Sequence, residues 1–498
     1  MRVPLAPQAR EILGPSDLVM IPERGDDVAL LIGQMVTMGL PEVLDRHIPR
    51  HGTQRGLSWG WTAVLWLAYI VTEGDHRNVS VATSLTGMHH TLSRLTAQVV
   101  DPLDFRADRL SHLLTHLSQP TSWHRIERDW KARSIAVYAV PQDVIRGEAP
   151  TVSGDHEVTE EGLGPGGQSK EDPTRPQITV MRGSLDPLGM PLSTDVLSGE
   201  RAEDGFSLPS IERIRTGLQT PGLLGVGACQ RSALDPRVDL VRHQDGSLAP
   251  LPLTGATAET MDAWIPAGVT KREAGAFVQL WRTNDRGHEV RAVEGEELAR
   301  TCCAPDSAEE WRERVVVVRS PMHATQQAAG LAQRLSHAET PLRALTPPRG
   351  RGKRHLTDEA TLVEAIDRVL TAHRVEGFRS VVGAKQVEQT TQYVGRGRGS
   401  VSREQRVIQQ TRSHLTRIAR QEDPLAARSH RLGWKAFVTN AGPTRLSLPE
   451  AVWCYRNEDR VARLCHRLKS RGHMAPLFVK LNEPREGLTY LLPLGVRG

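Results

Sequence analysis

From Asp26 onward apolar residues return every three or four positions. Ala29, Leu30, Ile32, Met35, Val36 and Met38 form one stripe, and this period predicts a helix ended by Gly39. Residues 58–72, about 80–98 and 106–131 carry the same period, with few strand signals between them. Residues 1–131 therefore read as an all-helical N-terminal domain. DNA binding is a role open to such a domain, although no segment has a helix-turn-helix spacing.

The period changes at Ser134. SIAVYAV (134–140) reads as a strand, and Val144-Ile145 is a short apolar pair beyond Pro141. A polar, Gly-rich stretch covers 151–176. QITVMRGSL (177–185) and MPLSTDVLSG (190–199) then alternate as the arms of a hairpin. Asp186-Pro187-Leu188-Gly189 between them suits a type I turn. A helix is expected near 209–218 and a buried strand at 223–226. Strand, hairpin, helix, strand is an α/β order. Further on, VVVVR (315–319) and 435–439 read as strands. Residues 357–373 read as a helix with Thr357 as its N-cap, and 447–470 as the last helix. No fixed-period repeat is present, which excludes a solenoid.

Composition narrows this picture only slightly. The 498 residues are 39% apolar and 24% charged, as in an ordinary soluble protein, which excludes a wholly disordered or collagen-like chain. Net charge is +5, too weak to argue for nucleic acid by itself. Of the 63 basic residues 55 are Arg, a bias that a GC-rich genome explains and that also suits recognition of phosphate. Five cysteines without CxxC spacing exclude a disulfide framework and a Cys-rich zinc site, and fit a reducing compartment. The most apolar run, 59–71, is too short to cross about 30 Å of hydrocarbon as a helix. The start shows no signal-peptide core, so a cytoplasmic protein with no membrane partner is expected.

Most motif matches are weak. Gly162, Gly164 and Gly167 satisfy GxGxxG, but no strand precedes them and Glu160 and Glu161 stand in front, so a loop is the better reading. His47 with His51, and the pair His89-His90, lack the partners of a metal frame. Two basic runs say more. RGRGKRH (349–355) and the GRGRG of YVGRGRGS (393–400) combine glycines, which permit close backbone approach, with donors for phosphate. Arg349, Arg351, Lys353, Arg354, Arg396 and Arg398 are the DNA-binding candidates, with a solvated loop as the alternative.

Three stretches carry a resemblance: 151–204, 223–234 (LLGVGACQRSAL) and 433–471 (GWKAFVTNAGPTRLSLPEAVWCYRNEDRVARLCHRLKSR). In this order and spacing the chain resembles bacterial insertion-sequence transposases of the DDE class, in the branch with a long insertion before its last acidic residue. The resemblance implies an α/β protein: an RNase H-like mixed-sheet core, a largely β insertion and the helical N-terminal domain. It divides the chain at 1–131, 132–234, 235–432 (insertion and linking segments) and 433–498. It implies two-metal phosphodiester cleavage and strand transfer with Mg2+, double-stranded DNA of insertion-sequence ends as partner, a homodimer on DNA, and a nucleoid-associated location.

The acidic positions depart from the family. The first Asp place, just before Val152-Ser153-Gly154, holds Glu148. The second, in a Gly-Asp-Cys-like context, holds Ala228. In the pattern Tyr-x2-Arg-x3-Glu-x6-Lys, Tyr455 and Lys469 match, whereas Glu458 stands at the Arg place and Ala462 at the Glu place. By resemblance Tyr455 and Lys469 join the DNA-binding set. A methyl cannot ligate Mg2+, so metal binding beyond a weak contribution from Glu148 is not expected. The expectation is a DNA-binding protein with impaired catalysis. Two alternatives stay open: an active transposase using displaced acids such as Glu148 and Glu458, and a transposase-derived DNA-binding regulator.

Overall fold

A computed structural model describes residues 22–23, 27–148, 151–153, 177–198, 208–218, 221–227, 234–252, 254–284, 286–304, 307–348, 356–396, 402–456 and 482–497. The protein is of mixed α/β class. It divides into two compact units, one made of 1–250, 299–314 and 438–498, the other of 251–298 and 315–437.

The first unit opens on helices: Val28–Thr37, Leu40–His47, Trp59–Glu73, Asn78–Thr86, His89–Thr96, Ala107–Ser118 and Pro120–Tyr138. Their apolar faces meet around Trp59–Glu73, which is buried from Trp59 to Ile70 apart from the half-exposed Trp61. Ser58 caps that helix by accepting from the Trp61 N–H, and Gly74 (φ 68°) ends it. The first predicted stripe holds at Ile32 and Met35, but Leu30 is 75% exposed, and Gly39 (φ 75°) serves as N-cap of the second helix. The expected helix over 80–98 is two helices broken at 87–88. The one over 106–131 is broken at Gln119, because a residue before proline favours extended backbone and Pro120 then occupies a first-turn position.

SIAVYAV is not a strand. The helix begun at Pro120 continues through Ser134 to Tyr138 and stops at Ala139 (φ 49°). A seven-residue apolar run cannot be assigned by periodicity alone. Here burial is one-sided, with Ile135 buried and Val137 half exposed, and Ser134 Oγ donates to the Trp130 carbonyl inside the helix.

The first core strand is instead β1 (Val144–Glu148), followed by β2 (Thr151–Ser153), β3 (Gln177–Leu185), β4 (Met190–Ser198), β5 (Leu224–Gly227) and β6 (Gly246–Leu251). β3 pairs antiparallel with β4 on one side and with β2 and β1 on the other. β1 then pairs parallel with β5, and β5 parallel with β6. The result is a mixed sheet. The predicted hairpin stands where expected, but its turn differs: the Asp186-Pro187 bond is cis, and Gly189 (φ 68°) donates to the Leu185 carbonyl. Helices Leu208–Gly217 and Leu234–Arg242 contribute Ile211, Ile214, Leu218 and Leu240 to a core with Ile145, Leu185 and Leu192. Helix Leu448–Arg456 follows the last strand, and helix Asn482–Arg497 returns to the N-terminal helices, where Leu488, Leu491 and Leu494 are fully buried.

The second unit carries strands β7 (Val278–Thr283), the first ten residues of β8 (Glu289–Cys303), the end of β9 (Glu310–Arg319), β10 (Arg379–Tyr393), β11 (Gln405–Arg420) and most of β12 (Trp434–Thr439). It is not largely β. Helices Gly255–Glu273, Pro321–Ala344, Glu359–His373 and Glu422–His430 lie in the same unit. The N-cap of the third is Asp358, which accepts from the Thr361 N–H, rather than Thr357. β10 and β11 form a two-stranded antiparallel ribbon, and only its base joins a core, through Val381, Leu415 and Ile418 against Leu335, Leu362 and Ile366.

Candidate functional site

β1 ends at Glu148, whose Cα is paired with that of Arg182 on β3. One residue earlier, Gly147 is paired with Gly183 on β3 and with Gly227 on β5. Three adjacent strands thus place glycines in one row, and glycine inside a strand marks a close approach or a bend. Gly227 is the residue before Ala228 in the sequence, and Ala228 itself lies outside the described residues.

Two residues before Glu148, Arg146 is 2% exposed. Its Nε and Nη2 donate to Asp186 Oδ1 and Oδ2 at 2.7 and 2.6 Å, a bidentate ion pair. Nη2 also donates to Cys454 Sγ at 3.8 Å. One guanidinium therefore joins β1, the hairpin turn and helix Leu448–Arg456. Burial pushes the Cys454 thiol upward, so it stays protonated and acts as a weak acceptor. Tyr455, the next residue, is half-buried, and Arg456 stacks over the Trp453 ring at 5.7 Å.

The remaining sequence candidates separate clearly. Glu458, Ala462 and Lys469, and the basic residues Arg349, Arg351, Lys353, Arg354 and Arg398, lie outside the described residues. Arg396 is described and exposed, just past β10, where its carbonyl accepts from Arg403 Nη2 at 2.7 Å. The histidines have local partners. His47 Nε2 lies 2.7 Å from Asp129 Oδ2, and His51 Nδ1 lies 2.8 Å from Thr53 Oγ1. The His89 and His90 rings lie 3.8 Å apart, tilted by 39°, and stand close to Glu23, whose carboxylate accepts from the His90 and Thr91 N–H groups.

Sequence reasoning missed two charged clusters of the first unit. Glu313 is buried among Arg237 Nε (3.1 Å), Arg300 Nη2 (2.8 Å), Trp311 Nε1 (2.9 Å) and Cys302 Sγ (3.1 Å). Burial alone would raise its pKa, but Arg237 and these donors together hold it below the usual carboxylate range. Asp245, also buried, accepts from Arg215 Nε at 2.8 Å and from the Leu223 N–H at 2.9 Å. Beside it lies a polar cavity of about 280 Å³, lined in part by Trp311, Arg312, Asn440 and Arg445. The only sequence signal was the alternation of EWRER at 310–314, which places Trp311 and Glu313 on one face. No family model matches the chain, and no curated protein matches it.

By residue type, the three positions marked by the resemblance, Glu148, Ala228 and Ala462, offer a single carboxylate, too few for a pair of divalent ions. Asp186, which lies beside Val144 at the other end of β1, has both carboxylate oxygens committed to Arg146.

Proposed function

We propose that the protein is a transposase-like, DNA-binding member of the insertion-sequence type, built on an RNase H-like core, that engages duplex ends but cleaves them poorly or not at all. The resemblance requires its three acidic contexts to meet at one end of a sheet. The observation that supports this most is the paired neighbours of those contexts. Gly147 and Gly227, each one residue short of an acidic place, are partners across β1 and β5. Arg146 of the same strand bonds Cys454, near the end of helix Leu448–Arg456 and next to Tyr455, where the third context begins in the sequence. The pairing beside two of the places, and the contact from β1 to the segment that precedes the third, are what support the reading.

Function then follows from what stands at those places. Without two Asp and one Glu, those three places do not hold a metal pair, so no cleavage step is assigned to them. Binding does not depend on that chemistry. Electrostatic attachment to DNA comes from neutralised phosphates and released counterions, and is indifferent to loss of the carboxylates. The test is purified protein with an end-sequence duplex in Mg2+ or Mn2+. Retardation without nicking is expected. Efficient nicking would show that displaced acids serve, and absence of retardation at low salt would remove the DNA-binding reading.

A further inference from the structure

The β10–β11 ribbon is long, regular and largely uncovered. Its ladder runs from Arg379↔Arg420 to Tyr393↔Gln405 with one irregularity, at Val382/Gly383. Fifteen residues of strand extend about 50 Å. The base packs on helices of its own unit. From Gln386 outward, by contrast, β10 is exposed at every position except the half-buried Glu388. The facing stretch Gln405–Gln410 is likewise exposed except at Ile408. A bare two-stranded ribbon is at best marginally stable in water, so this length of it is unusual without a partner.

Its side chains say what partner fits. The described residues 385–412 carry Lys385, Arg396, Arg403, Arg406 and Arg412 against Glu388 and Glu404, a net charge of +3. The pairing places Val387, Gln389, Thr391 and Tyr393 on one face with Thr411, Gln409, Val407 and Gln405 opposite. That face has no charge. It offers amides, which suit adenine edges, and the methyl groups of Val and Thr, which suit thymine. A face both apolar and rich in amides, with cations along the same ribbon, matches a nucleic-acid groove rather than a protein core.

We infer that the outer half of this ribbon lies in the major groove of duplex DNA, whose width of about 12 Å admits two strands. The face bearing Gln389, Thr391, Val407 and Gln409 meets the base edges, and Arg396 and Arg403, past the last paired residues, reach the phosphates. This inference deepens the proposed DNA-binding function and rests on it, but needs no catalysis.

The experiment compares three full-length proteins by fluorescence anisotropy on a labelled duplex over a salt series. One is wild type. In the second, 387–411 is replaced by Asn-Gly, a two-residue hairpin turn that leaves the packed base intact. The third is Thr391→Glu/Gln409→Glu, which keeps the backbone and sets negative charge on the reading face. Both variants are expected to bind at least about tenfold more weakly, and the trimmed protein to show a salt slope shallower by about 0.9 for each phosphate it no longer neutralises. A ligand that fills the major groove should displace wild type, and a minor-groove ligand should not. Wild-type affinity in a folded double-Glu protein would overturn the ribbon assignment while leaving DNA binding standing. A wild type that never binds duplex would overturn both.

Discussion

Arg146 shows how much one side chain decides in this protein. It is a charge brought into the interior, and it is tolerable because Asp186 answers it with two hydrogen bonds. Replacing it by Met leaves a carboxylate that is only 17% exposed without its cation. Arg146→Met should cost about 3 kcal/mol or more, read as a lower urea midpoint, whereas Arg146→Met/Asp186→Leu should recover most of it. Full stability in the single variant would mean that the pair is solvated. A second residue-scale prediction concerns acid. Hydrogen bonds from Arg77 hold Asp75 at about 2, against an ordinary 3.8. A carboxylate depressed on folding stabilises the native state above its unfolded pKa and loses that contribution as pH falls through the folded value. The loss should fall between pH 3.8 and about 2, with an Asp75 carboxyl resonance that titrates near 2, and the Arg77→Ala variant should move it upward. The partners of Arg146 were not legible in the sequence. Arg146 and Cys454 are 308 positions apart, and no local pattern links them.

Elements were readable where periodicity and punctuation agreed. The hairpin arms at 177–185 and 190–198 alternate cleanly around Asp-Pro-Leu-Gly, and both strands formed. SIAVYAV failed the same reasoning because its neighbour upstream was already a helix, and continuing a helix avoids the cost of a new nucleus. The C-terminal helix 482–497 was missed outright. Pro493 and the glycines Gly487 and Gly495 are poor helix formers, yet packing overrides that propensity. Tyr490 stacks on Trp123 at 4.5 Å, burial lifts its phenol well above the ordinary range, and Gly487 lies where a Cβ would overlap the Leu114 carbonyl. Gly487→Ala should therefore destabilise by about 1–3 kcal/mol despite its better helix propensity, measured by thermal unfolding followed through Trp fluorescence. A gain in stability would show that the helix can shift without penalty.

At the scale of the whole molecule, the proposed function turns on whether a transposase-like scaffold stands here without its acids. Under the proposed reading, Glu148→Asp/Ala228→Asp/Ala462→Glu sets acids at the three places the resemblance marks, and calorimetry should then record Mg2+ binding that wild type lacks. A folded triple variant without metal heat would count against the shared neighbourhood of those positions. The sequence by itself determined the α/β order, the helical start and the hairpin, because these are local: they depend on spacing, turn chemistry and residue type. Tertiary structure alone decided that β1 begins at Val144, that β1 and β5 run side by side with Gly147 facing Gly227, that Glu313 and Asp245 are buried with their cations, and that the β10–β11 ribbon stands exposed beyond its packed base. Those outcomes depend on which distant surfaces exclude water together, and burial is a property of the folded chain rather than of any stretch of it.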